Sequence, residues 1–67
     1  MMNTVYTYTN NMGRAKELWV ANEPKEDGTY FCVIWDMATG ENCGTGDCTK
    51  EQIEKMLKNM KNVVKKA

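Results

Sequence analysis

The chain has 67 residues, room for one small domain, and its 42% hydrophobic and 27% charged content is that of a globular protein rather than a disordered tail. Nine basic and nine acidic side chains leave no net charge, which excludes a strongly basic nucleic-acid binder and a strongly acidic nucleic-acid mimic as whole-molecule descriptions. Histidine and serine are both absent, so the usual general base, the commonest metal ligand and a common nucleophile are missing together.

The first segment, residues 4–9, is β-branched and aromatic throughout (Thr4-Val5-Tyr6-Thr7-Tyr8-Thr9) and predicts a strand. Asn10-Asn11-Met12-Gly13 is a turn composition. A second strand is expected over 15–22, followed by a polar loop containing Pro24 and Asp27-Gly28. A third strand is expected over 29–36, where Tyr30-Phe31-Cys32-Val33-Ile34-Trp35 is apolar on both faces, the mark of a central strand. Asp36 to Glu41 reads as a tight hairpin with Gly40 in the left-handed position, leading to a short fourth strand over 41–45.

The C-terminal segment predicts a helix over 50–65. Ile53, Met56, Leu57, Met60, Val63 and Val64 fall on one apolar stripe. Thr49 with Gln52 three residues on forms a capping box, and Cys48 is placed to pack against Ile53 as a staple. The expected fold is therefore α+β: a four-stranded antiparallel meander with one amphipathic helix across one face, ββββα, in a single domain.

Register follows from the turns. If Thr9 faces Arg14, Asn22 faces Thr29 and Asp36 faces Glu41, one face holds Val5, Leu18, Val20, Phe31, Val33, Trp35 and Gly44. The other then holds Tyr6, Tyr8, Trp19, Ala21, Tyr30, Cys32, Ile34 and Cys43. The first, mostly aliphatic face is the expected core, with Leu57 and Met60 packed on Leu18, Phe31 and Val33 and with Gly44 admitting the helix closely. A single helix leaves the second face open, so Tyr6, Tyr8, Trp19, Tyr30 and Ile34 become the candidate partner-binding residues, since aromatic patches mark interaction sites. Glu17, Glu41 and Asp36 form an acidic rim suited to a basic partner. A second copy of the chain is the competing occupant of that face.

Charge is distributed unevenly. Residues 1–48 carry three basic and seven acidic side chains, and residues 49–67 carry six basic and two acidic. Stacking of single-stranded bases needs a basic groove around the aromatics, so an aromatic sheet in the acidic half argues against direct nucleic-acid binding. The lysines of the helix read as a solvated face.

Cys32, Cys43 and Cys48, with Asp47, are the candidate metal ligands, because the four-residue spacer from Cys43 to Cys48 lies within the range of zinc sites. Three soft ligands fall short of the usual four, and free thiols packed as small hydrophobes are the ordinary alternative. The expected cofactor state is none, with zinc as the exception. An odd cysteine count and a polar start point to a reducing, cytoplasmic setting. No apolar run approaches the about 20 residues of a membrane span.

With no catalytic constellation, the expected function is that of a small non-catalytic protein-binding module. The best-populated class of such proteins is phage- or mobile-element-encoded inhibitors of larger host nucleic-acid enzymes, nucleases among them, of the anti-CRISPR type, which act by occluding a surface. The alternative is a small zinc-stabilised or sheet-based nucleic-acid-binding regulator.

Overall fold

The computed structural model describes residues 2–66. Five strands and one helix follow one another as β1 (Asn3–Thr9), β2 (Ala15–Ala21), β3 (Tyr30–Asp36), β4 (Asn42–Cys48), α1 (Lys50–Asn59) and β5 (Lys61–Lys65). The fold is a small α+β domain in which every strand pairing is antiparallel and the sheet order is β4-β3-β2-β1-β5. The helix carries the chain across one face of the sheet, from the β4 edge to the β5 edge. It is neither long nor apolar enough to cross a membrane.

The capping box starts the helix as its residues dictate. Thr49 Oγ1 accepts the Gln52 N–H at 3.2 Å, and Gln52 Oε1 accepts the Thr49 N–H at 2.8 Å. Cys48 packs against the cluster that contains Ile53, as a staple would.

The helix does not continue to residue 65. Its last backbone bond runs from the Met60 N–H to the Met56 carbonyl, and Met60 is already extended. Asn62 then adopts a left-handed φ of 56°, a conformation that asparagine tolerates better than β-branched residues. Val63 and Val64 enter β5, where Thr7 faces Val64 and Tyr6 faces Lys65. Val63 still packs against the core. That side chain satisfies either a helical stripe or a strand, and the open outer edge of β1 selects the strand.

The register also departs from expectation, and the turns explain it. The Asn10 side chain accepts the backbone N–H groups of Met12 and Arg14 at 3.0 and 2.9 Å. The loop therefore closes one residue later, and Thr9 faces Ala15 instead of Arg14. In the next loop Asp27 accepts the Thr29 N–H and hydroxyl, and the Lys25 N–H reaches the Thr29 carbonyl. Leu18 consequently faces Ile34 rather than Val33. The Asp36 hairpin begins in the expected register, with Trp35 opposite Asn42, but a bulge at Cys43 then places Gly44 opposite Ile34.

The first two slips have one joint effect: β2 is turned over relative to β1 and β3. Leu18 and Val20 join Tyr6, Tyr8, Tyr30, Cys32 and Ile34 on one face, and that face, not the aliphatic one, takes the helix. The core is Tyr8, Leu18, Val20, Cys32 and Ile53, with Tyr6, Tyr30, Ile34, Met56, Leu57, Met60 and Val63 packed around it. Phe31 and Val33 lie on the far side, so Leu57 and Met60 do not meet them. Gly44 has nothing within 4 Å of a would-be Cβ, so no helix crowds it.

Leu18 is 0% exposed and Phe31 is 44% exposed. Leu18→Ala should therefore cost about 2–5 kcal/mol, and Phe31→Ala should stay within about 0.5 kcal/mol of the parent, both read from urea unfolding. At the helix end, Asn62→Val should cost about 1–2 kcal/mol because a β-branched side chain resists a left-handed backbone, whereas Asn62→Gly should be nearly neutral in the same assay.

Candidate functional site

Among the described residues nothing covers the face opposite the helix. From β1 it displays Val5 and Thr7, from β2 Glu17 and Trp19, from β3 Phe31, Val33 and Trp35, and from β4 Thr45 and Asp47. Val64 of β5 extends it and is exposed. At its centre the rings of Trp19 and Trp35 lie with centroids 5.5 Å apart and planes tilted by 55°. Glu17 faces Trp35 across the strands and accepts the indole N–H of Trp19. The Trp35 Nε1 is buried and has no partner among the described residues.

Two hollows open on this side. One, of about 350 Å³, is walled by Glu17, Trp19, Trp35, Met37 and the Gly40 turn. The other, of about 520 Å³, lies beside the β2–β3 loop among Met2, Ala21, Pro24 and Phe31. Two ion pairs border the face. Lys66 reaches Glu17 Oε2 at 3.5 Å, and Lys25 reaches Asp47 Oδ2 at 2.8 Å.

The structure thus separates the expected binding residues. Trp19 and Glu17 are on the open face. Tyr6, Tyr8, Tyr30 and Ile34 are on the helix-covered face, with Tyr8 buried in the core. Glu41 is exposed in the β3–β4 turn. Phe31, Val33 and Trp35, expected in the core, take the place of the tyrosines. Polarity along β1 carries the signal for this: Thr7 and Thr9 alternate with Tyr6 and Tyr8, so the threonine side faces water.

Asp36, expected on an acidic rim, is held inside the molecule. Its Oδ2 accepts Lys16 Nζ and Arg14 Nε, each at 2.9 Å, and its Oδ1 accepts the N–H groups of Ala38 and Thr39. Lys16 foremost, then Arg14, hold this carboxyl well below the usual carboxylate range. A carboxylate satisfied by two cations and two amides fixes the β3–β4 turn and has little attraction left for a partner.

The candidate metal ligands do not converge. Cys32 and Cys48 are neighbours on the helix side, where burial above all, with the Cys48 thiol beside it, pushes the Cys32 thiol upward. Cys43 lies at the far end of β4, its sulfur 3.3 Å from Lys16 Nζ. Asp47 points to the opposite face, toward Lys25. Among the described residues no three metal-ligating side chains gather at one point.

Comparison with protein-family models, curated proteins and solved structures finds no match. The site itself is one face of a five-stranded sheet, aromatic and uncovered among the described residues, with the helix on the other face.

Because the folded value of Asp36 is depressed, its stabilisation is present above the unfolded value of about 3.9 and is lost as pH falls through the folded one. Asp36→Asn should lower the melting temperature at neutral pH, and its deficit relative to the parent should shrink below about pH 4. Thermal melts of both proteins from pH 7 downward check this, and a deficit that is constant or widens in acid would contradict it.

Proposed function

We propose that this protein is a non-catalytic protein-binding module whose open sheet face, centred on Trp19 and Trp35, occludes a surface on a larger partner. The observation that carries the reading is the aromatic pair on a face with no covering element, continuous with the exposed side chains of Phe31 and Val64. Exposed apolar patches of this kind mark interaction sites, and tryptophan is the residue most enriched in binding hot spots. An interface of standard size takes about 800 Å² from each partner, which this face with its rim loops can supply.

The partner class we favour is a large host nucleic-acid enzyme, inhibited by a phage or mobile-element protein of the anti-CRISPR kind. The support is indirect: a small domain without catalytic groups acts by covering something, and enzymes of that class present basic surfaces whose cations can replace Lys66 and Lys25 on Glu17 and Asp47. Direct binding of single-stranded nucleic acid is the rival use of an aromatic sheet. It is disfavoured by Glu17 and Asp47 on the face and by the pairing of the bordering Lys66 and Lys25 with them.

The test is affinity capture from the native host with three baits: the parent, Phe31→Ser combined with Val64→Ser, and Lys55→Ser on the outer surface of the helix. A partner retained by the parent and Lys55→Ser, but lost by the open-face variant at an unchanged melting temperature, is the expected result. Equal capture by all three baits would refute the assignment of the face. Sedimentation at two concentrations separates self-association. A captured partner unrelated to nucleic-acid chemistry would leave the binding face standing and remove the finer reading.

A further inference from the structure

We propose that the hollow between Trp19, Trp35 and Glu17 receives an arginine side chain of the protein partner. The inference rests on the reading of the open face as a binding surface and names the group that it grips.

Two inclined indoles make a corner, and what they show to solvent decides its selectivity. The Trp19 N–H is taken by Glu17, and the Trp35 N–H is buried. Neither ring therefore presents a donor, and the exposed part of Trp35 is carbon. Such a corner has nothing to offer a phosphate or a carboxylate. Its π faces are the negative parts of the rings and attract cations.

The carboxylate sets the sign more firmly. Glu17 is fixed on one side by the Trp19 indole and faces Trp35 across the strands. The chain's own Lys66 already approaches it, at 3.5 Å from Oε2. That lysine is 60% exposed while Glu17 is 17% exposed, and the contact is long, so a guanidinium that directs two N–H groups at the carboxylate displaces it. Lys66 thus marks where a cation settles without closing the site.

Arginine fits better than lysine. A planar guanidinium can stack on an indole while directing N–H groups at the carboxylate, and it is more weakly hydrated than an ammonium. Met37 and Gly40 also line the hollow, and the methylene stem of an arginine can lie along the Met37 side chain.

The probe is N-acetyl-arginine methylamide, titrated into the full-length protein while the two indole N–H signals are followed by NMR. Both signals should shift and saturate at millimolar concentration, as a single side chain allows. The lysine analogue should need several-fold more, and the alanine analogue should move neither signal. Glu17→Gln should abolish the response, and Lys66→Ala, by removing the internal competitor, should lower the midpoint several-fold. Indole signals that stay in place, that move equally with the alanine analogue, or that respond identically in both variants would overturn the assignment. Tighter binding of tetramethylammonium than of the arginine compound would also overturn it, in favour of a quaternary ammonium ligand. Partner capture that survives Glu17→Gln but fails with the Phe31 and Val64 variant would remove arginine and leave the binding face intact. Capture unaffected by either variant would remove the face itself.

Discussion

The register of β2 is the constraint on which the other contacts depend. A one-residue slip in both of its hairpins would send Leu18 and Val20 to the open side and bring Glu17 and Trp19 under the helix. The carboxylate would then be buried without a cation, and the best-packed aliphatic side chain of the domain would be in water. Two polar side chains set that register. Asn10 closes the first turn on the N–H groups of Met12 and Arg14, and Asp27 closes the second on Thr29. Each bond is local and individually modest. Their effect is large because a strand has only two faces.

The helix and β5 complete what β2 begins. Ile53 enters the core beside Leu18 and Val20, and Val63 follows from β5. Adding β5 to β1 moves the sheet edge outward to a strand that carries Lys61 and Lys65, with Asn62 in a left-handed turn of the backbone. Charge and irregularity of this kind discourage edge-to-edge pairing. At the opposite edge β4 is interrupted by the bulge at Cys43, beside which the Asn42 side chain accepts the Gly44 N–H at 2.8 Å. Both edges are blunted, and the exposed side chains of Phe31 and Val64 lie on the uncovered face.

Much of this was legible in the residues, and what was not has definite causes. The β-branched and aromatic run of β1, the capping box at Thr49 and the left-handed Gly40 all appear where local chemistry demands. The faces were not legible because composition does not give turn length: the side-chain bonds of Asn10 and Asp27 each lengthen a turn by one residue. On β3, Phe31, Val33 and Trp35 alternate with Cys32 and Ile34, so hydrophobicity alone could not choose between its faces. On β1 it could, through Thr7 and Thr9. The helix end was hidden because Val63 and Val64 fit a helical stripe and a strand alike. Asn59, Asn62 and the paired valines were the cues for the strand. Of the expected binding residues, Trp19 and Glu17 kept their place because they lie on β2, which turned over when the helix went to the other side.

An open aromatic face on so small a domain must be separable from the core, or any change that tunes binding would unfold the protein. The strand pleat provides that separation. Leu18 and Val20 point one way to hold the helix, and Glu17 and Trp19 point the other, on the same backbone. The exposed face is held in shape by its own contacts: the Trp19 indole on Glu17, Trp19 against Trp35, and Lys66 on Glu17. None of these reaches through the sheet. The basic C-terminal segment also acquires a role that composition alone did not assign to it. By joining the sheet beside β1 it brings a lysine to the acidic centre of the open face, and net neutrality becomes an arrangement in which that face is presented with its charge lightly and replaceably capped.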